Sequence, residues 1–255
     1  MRAQRSPFIL LKGHVMKKTG ILLPLGAVAA LSALAGYGVY RYFWTPPLPK
    51  ADPNRKHIIC IGDSITFGAG VAKKRSTQSY PAVLNQLVSE EWQVLNYGLS
   101  GRTLLDEADT PYRKEKYYYQ SLRERADIYI IMLGTNDSKP YNWEGNKALY
   151  QDELVEMIRG YQYLPNKPEV VVLQPPKCFP KAENEAIVYD ISDDVVRDGV
   201  NPAVKRAAEI CGVKCLDLYR LTENHPEYFQ DGVHPNALGN QKIAAYLFEN
   251  IQPLL

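Results

Sequence analysis

The sequence predicts an α/β protein: a three-layer α/β/α sandwich around a five-stranded parallel sheet, preceded by an N-terminal transmembrane helix. Three observations predict it. From residue 57 onward, five short apolar runs alternate with segments of helical character. Those runs are almost continuously apolar, as in parallel strands covered on both faces. Ahead of them, Thr19 to Tyr40 forms 22 residues without a charge, enough to span a bilayer as a helix.

The elements follow in order. "HIICI" (57–61) reads as the first strand. "QSYPAVLNQLVSE" (78–90) reads as a helix, with Val83, Leu84 and Leu87 at helical spacing. "WQVLNY" (92–97) is the second strand, "YRKEKYYYQSLRER" (112–125) a helix despite its tyrosines, and "ADIYIIML" (126–133) the third strand. "NKALYQDELVEMIRGYQYL" (146–164) is amphipathic, with Leu149, Leu154, Ile158 and Tyr161 on one face. "PEVVVLQPP" (168–176) is a β-branched strand stopped by prolines. "NPAVKRAAEICG" (201–212) is a helix ended by Gly212, and "VKCLDL" (213–218) is the last strand. "PNALGNQKIAAYLFENI" (235–251) closes the chain as a helix, with Pro235 in its first turn and Ile243, Leu247 and Ile251 as its stripe.

The front of the chain divides into a basic cytoplasmic N-terminus (1–18), a membrane anchor or signal segment (19–42) and a Pro-rich linker (43–56), "TPPLPKADPN" reading as an extended tether. Arg2, Arg5, Lys12, Lys17 and Lys18 ahead of the apolar run keep the N-terminus in the cytoplasm and put the body (57–255) outside. Two readings stay open: an uncleaved anchor with Tyr42, Phe43 and Trp44 at the interface, or a signal peptide starting at Met16 and cut near Ala33-Leu34-Ala35, which would release a secreted protein. Residues 1–56 carry nine Lys or Arg and one acidic residue, leaving 21 basic and 27 acidic residues in the body. An acidic body argues against nucleic acid as a partner. The four cysteines show no zinc pattern, since Cys211 and Cys215 lack partner histidines at ligand spacing. Cys60 lies in the first strand as a small core residue, and export leaves a disulfide among Cys178, Cys211 and Cys215 open.

In sheets of this kind ligands bind outside the carboxyl ends of the strands. That rule selects the loops 62–70, 98–103, 134–143 and 175–185. The first holds Gly62-Asp63-Ser64, the second Gly98-Leu99-Ser100-Gly101-Arg102, the third Gly134-Thr135-Asn136-Asp137; Asp231-Gly232-Val233-His234-Pro235 precedes the closing helix. Each piece alone is ordinary turn composition. Of the three histidines in the body, His57 starts a strand and His225 sits in a polar stretch, whereas His234 has a carboxylate three residues before it. A serine, a histidine and a carboxylate are what acyl transfer through a serine requires.

Together and in this order the pieces "GDSITFG", "NYGLSGRT", "GTND" and "DGVHP" resemble the SGNH/GDSL hydrolase superfamily of serine esterases over about residues 57–251. The single departure is Ile65, where the name motif has Leu. The resemblance implies a flavodoxin-like fold and a triad of Ser64, His234 and Asp231 that needs neither cofactor nor metal. It also implies an oxyanion hole of the Ser64 and Gly98 N–H groups and the Asn136 side chain. Asp63 and Asp137 read as loop-bracing carboxylates.

The stretch "IMLGTNDSKPYNW" (131–143) is similar to superfamily members that deacetylate carbohydrates, which implies O-acetyl groups on saccharides as substrate. Tyr141 and Trp143 would offer faces to a sugar ring and Arg102 a charge to an anionic group; Trp143 as a core residue and Arg102 as a surface charge are the competing readings. "GLSGRT" is also similar to arylesterases of the superfamily, so aryl and short-chain acyl esters are an alternative, as are lysophospholipid and thioester substrates. An inactive carbohydrate-binding protein is the alternative of another class, and a full serine, histidine and aspartate set is what it would not need.

Overall fold

The structure is a computed structural model and describes residues 46–182 and 185–255. The predicted cytoplasmic N-terminus and the predicted span over 19–42 lie outside the described residues. Among the described residues no helix is long and apolar enough to cross a membrane.

Five parallel strands form one sheet: β1 (Lys56–Gly62), β2 (Trp92–Gly98), β3 (Ile128–Met132), β4 (Glu169–Gln174) and β5 (Lys214–Asp217), in the order β2-β1-β3-β4-β5. The predicted α/β/α sandwich with five parallel strands is the observed architecture. The period of two along the strands sorts their side chains between two cores. Ile59 and Ile61 of β1 face one side, packed with Tyr129 and Ile131 of β3. Helices α2 (Lys116–Arg123), α3 (Tyr150–Gln162) and α4 (Asn201–Cys211) cover that side through Tyr117, Leu154, Ile158 and Val204. Ile58 and Cys60 face the other, under α1 (Tyr80–Leu87) and α5 (Ala237–Ile251), which bring Leu84, Ile243, Leu247 and Ile251. Burying one such aliphatic side chain contributes about 1.5–3 kcal/mol.

Tyr112 and Tyr117 of the 112–125 segment, like Tyr129 and Tyr150 beyond it, are core residues with satisfied hydroxyls, whereas Tyr119 is exposed. Tyr112 donates to the carbonyl of Tyr97 at 2.6 Å, Tyr129 to that of Ser121 at 2.8 Å and Tyr150 to that of Leu133 at 2.9 Å. A large ring can be fully buried because its one polar atom has a partner.

Three expectations change. Leu149 is exposed, and the buried face of α3 is instead Tyr150, Leu154, Val155, Met157, Ile158 and Tyr161. Pro235 lies outside the closing helix: Asn236 is the cap, its side chain accepting from the Gly239 N–H at 3.1 Å. The described part of the linker is fastened to the domain. Tyr117 donates to the carbonyl of Pro46 at 2.7 Å, Asp52 donates its N–H to Gln93 at 2.7 Å, and Leu48 and Ala51 pack on the core. All four cysteines are free thiols, and burial pushes the Cys60 and Cys178 thiols far above their ordinary value.

Candidate active site

The strand order reverses between β2 and β3, on either side of β1, and the register brings the carboxyl ends of these strands level. Gly62 pairs with Gly98 on one side and with Met132 on the other. The three loops that follow therefore leave the sheet side by side, at the switch point where doubly wound folds bind ligands.

Ser64 opens a single helical turn, Ser64–Phe67. Asp63 caps that turn, its Oδ1 accepting from the Ile65 N–H at 2.8 Å. The turn is locked to β2 by Asn96, whose Oδ1 accepts from the Gly98 N–H at 2.9 Å and whose Nδ2 donates to the carbonyl of Thr66 at 2.8 Å. Gly98 is needed there for close approach, since a Cβ would overlap the backbone of Thr66 and Phe67.

Asp231 and His234 come from the loop that enters α5. The loop is closed on both sides, Gln230 N–H donating to the carbonyl of His234 at 2.9 Å and Asn236 N–H to that of Tyr228 at 2.8 Å. Asp231 Oδ1 accepts from the N–H groups of Val233 at 3.1 Å and His234 at 2.8 Å, and its Oδ2 lies 2.8 Å from His234 Nδ1. The other ring nitrogen, Nε2, lies 2.9 Å from Ser64 Oγ. Burial works against ionising Asp231, but the His234 side chain and the two amides outweigh it and hold the carboxyl well below the usual carboxylate range. An ionised Asp231 keeps a proton on Nδ1 and leaves Nε2 as the acceptor facing the serine. His57 and His225 lie elsewhere, His57 Nε2 against the carbonyl of Asp52 at 2.8 Å and His225 beside Glu227 at 2.8 Å.

Asn136 arrives from the loop after β3. Its Nδ2 donates to the carbonyl of Arg102 at 3.2 Å and to Asp63 Oδ2 at 3.5 Å, so one of its two amide hydrogens is held only by a long, weak contact. Behind it Asp137 is fully buried and accepts from the N–H groups of Leu104 at 3.0 Å and Leu105 at 2.8 Å, tying the loop after β2 to the loop after β3. Burial pushes the Asp137 carboxyl up to about 7 and that of Asp63 up to about 6, against the pull of those amides and of the Ile65 amide. Asp63 and Asp137 brace loops, as expected from the sequence.

These groups open on a pocket of about 280 Å³, lined by Ser64, Gly101, Asn136, Tyr189, Ile191 and His234 among others. A larger groove of about 640 Å³ beside Pro47–Lys50 contains none of them. Gly98 does not line the pocket, and its N–H is spent on Asn96, which corrects its expected role as an oxyanion donor. Gly101 stands there instead, at φ +82°, a left-handed backbone that glycine adopts without strain. Neither the Gly101 nor the Ser64 N–H has a hydrogen-bond partner among the described residues. The signal was present in "NYGLSG": the strand pattern runs through Gly98, so the glycine free to turn at the rim is the second one.

The expected substrate residues are placed elsewhere. Arg102 is buried and turned inward, its Nε and Nη2 donating to Glu115 at 3.0 and 2.6 Å and its Nη1 to the carbonyl of Ser100 at 2.8 Å. Trp143 packs against Tyr150 at 5.6 Å between ring centroids and against Gly199, whose added Cβ would stand 2.5 Å from the indole. Tyr141 is exposed outside the pocket lining, its hydroxyl 3.4 Å from Asp109 Oδ2. The pocket's aromatic carbocycle is Tyr189, in the stretch 177–200 to which the sequence reading assigns no strand or helix. Among the described residues no group of three or more His, Cys, Asp or Glu is placed to hold a metal ion.

Fold and site together define an α/β domain of the kind that serine hydrolases use. The chain belongs to the GDSL-like lipase/acylhydrolase family, whose model matches residues 60–242. An acetylxylan esterase from Xylanibacter ruminicola is 33% identical in a match of 215 positions that covers 78% of this chain and 43% of that protein, so the chain spans less than half of that relative's length. Among solved structures, the inhibitor-bound form of an aryl esterase from M. Smegmatis has a TM-score of 0.61 at 22% identity, covering 78% of this chain and all of that one. A carbohydrate acetylesterase family member from Sinorhizobium meliloti has a TM-score of 0.61 at 22% identity, covering 78% and 99%. At that identity the likeness to the two structures is one of fold.

Proposed function

We propose that the domain is a serine esterase and that its substrate is a saccharide bearing O-acetyl groups. One observation carries the esterase reading: the continuous chain from Ser64 Oγ through His234 to Asp231, with contacts of 2.9 and 2.8 Å, whose serine and histidine line a pocket. Ser64 Oγ attacks the ester carbonyl while its proton passes to His234 Nε2. The negative charge on the carbonyl oxygen is met by the Ser64 and Gly101 N–H groups and Asn136 Nδ2. The imidazolium, stabilised by Asp231, then protonates the departing alcohol oxygen. Water attacks the acyl-serine by the same route, giving up its proton to His234, and the acid and free serine are restored.

The pocket supports a short acyl group. At about 280 Å³ it lies below the usual range of about 300–1,000 Å³ for ligand sites. The 33% identity to an acetylxylan esterase supports acetyl on a sugar. The purified protein should release acetate from acetylated xylan, and Ser64→Ala should abolish this while a fluorophosphonate labels only the wild type. Turnover by the alanine variant would overturn the mechanism. Hydrolysis of aryl esters without any release from acetylated saccharides would move the substrate to the arylesterase class.

We also propose that the domain works outside the cytoplasmic membrane, held by residues 19–42. The uncharged run and the five basic residues ahead of it support that orientation.

A further inference from the structure

Tyr189 stands beside the Ser64, His234 and Asp231 chain without belonging to it. Its ring centroid is 5.3 Å from that of His234, with the ring planes at 63°, and its hydroxyl is 3.4 Å from Asp231 Oδ2. The side chain nonetheless remains 59% exposed and lines the pocket. Among the described residues it is the only aromatic carbocycle that does so.

The backbone that presents it is unusual. Tyr189 and the next residue, Asp190, have φ of +64° and +58°, and neither is glycine. Left-handed backbone at ordinary residues costs of order 1 kcal/mol each and persists only where the surroundings hold it. Here they do. Ile191 is buried with Cys178 and Val233, the residue before His234. The next residue, Ser192, donates its N–H to Ser138 Oγ at 3.2 Å, two positions after Asn136, and Asp193 Oδ1 accepts from the Cys178 N–H at 2.8 Å. The strap is thus tied both to the loop of the base and to the loop of the amide donor. An anchored strap that spends backbone strain to hold a largely exposed ring at the pocket mouth is hard to explain by packing, because the ring buries little.

We propose that Tyr189 is the specificity residue of the site: the exposed part of its ring forms the platform for the sugar that carries the ester. This rests on the reading of the site as a saccharide esterase. A pyranose has an apolar C–H face that fits an aromatic ring. A sugar held on Tyr189 lies next to His234, which puts its acylated oxygen where the leaving alcohol must receive the imidazolium proton. Ile191 and Val233 supply the apolar wall behind it. Trp143, the sugar platform expected from sequence, is committed to Tyr150 and Gly199 and leaves this role open.

The test compares kcat/KM on acetylated xylan with kcat/KM on ethyl acetate, which has no ring to stack, for wild type, Tyr189→Phe and Tyr189→Ala. The ratio of the two should fall about 3- to 10-fold in the alanine variant, as expected for one aromatic contact of ordinary strength, and much of the fall should be in KM. The phenylalanine variant keeps the platform and should hold the ratio within about twofold. Equal losses on both substrates would overturn the proposal and make Tyr189 a positioning residue for His234. A ratio unchanged in the alanine variant would overturn it as well. Wild-type protein that hydrolyses ethyl acetate but releases nothing from acetylated xylan would instead overturn the saccharide reading itself, and the platform with it.

Discussion

Replacing Asn136 with alanine separates two roles that the structure gives to one amide. Nδ2 donates to the Arg102 carbonyl at 3.2 Å and to Asp63 Oδ2 only at 3.5 Å, and the weakly held hydrogen is free to turn toward an oxygen bound in the pocket that Asn136 shares with Ser64. If that hydrogen meets the oxyanion, its removal raises the barrier by about 2.7–4 kcal/mol. The expected result is a fall in kcat of about 10²–10³ with KM changed little, because the charge it meets exists only in the transition state. The same deletion leaves the Arg102 carbonyl without its donor, which costs the fold about 1–3 kcal/mol. A domain of ordinary stability, about 5–15 kcal/mol, survives that. Steady-state hydrolysis of 4-nitrophenyl acetate gives kcat and KM, and urea unfolding of the same preparation gives the stability term. A tenfold or larger rise in KM with kcat held would refute the reasoning and make Asn136 a binding residue. A fall in activity matched by the fraction unfolded would show that the amide only supports Arg102.

Two further outcomes follow from groups already placed. Asp63 and Asp137 hold their protons more tightly folded than unfolded, with values near 6 and 7 against an ordinary 3.8; the stability they contribute is full below about pH 4 and is lost as pH rises through those values. Asp137→Asn should therefore flatten the fall in stability between pH 4 and 7 by up to about 1.4 kcal/mol per pH unit, and urea unfolding with an unchanged pH slope would refute it. The proposed orientation requires that protease added to intact cells expressing the full chain degrade the domain; protection until lysis would reverse it.

Most of the fold was legible because its signals are local and redundant. "HIICI" and "IYIIM" are buried on both faces, so their composition alone marks them as central strands. The helices were legible wherever one face is committed to the sheet, as with Ile243, Leu247 and Ile251. Where that face is set by a turn of chain rather than by periodicity, reading failed: Leu149 keeps the helical spacing but falls just before the first turn of α3 and points out. The serine, the histidine and their carboxylate were legible for a different reason. Each lies next to a strand end or a helix start that sequence can locate, and few residue types can do their chemistry.

The misplacements share a cause. Gly98 ends β2 and Gly101 follows three residues later, and hydrogen bonding tells them apart: Gly98 gives its N–H to Asn96, whereas the Gly101 N–H stays unpaired at the pocket. Trp143 and Tyr189 differ likewise in what lies across from them. Trp143 follows the amide loop closely in sequence, but the chain turns after Pro140 and carries the indole back onto Tyr150 and Gly199. Tyr189 is 45 residues from His234 in sequence and reaches it only because Ile191 is buried beside Val233. The proposed nucleophile and base are residue types that few others can replace in acyl transfer, so sequence exposes the candidates. The pocket wall is set by which common side chain a long-range contact aims at the pocket, and no local pattern records that. On the role proposed for Tyr189, a change in the strap around residues 187–192 would alter substrate choice without any change in the four motif blocks.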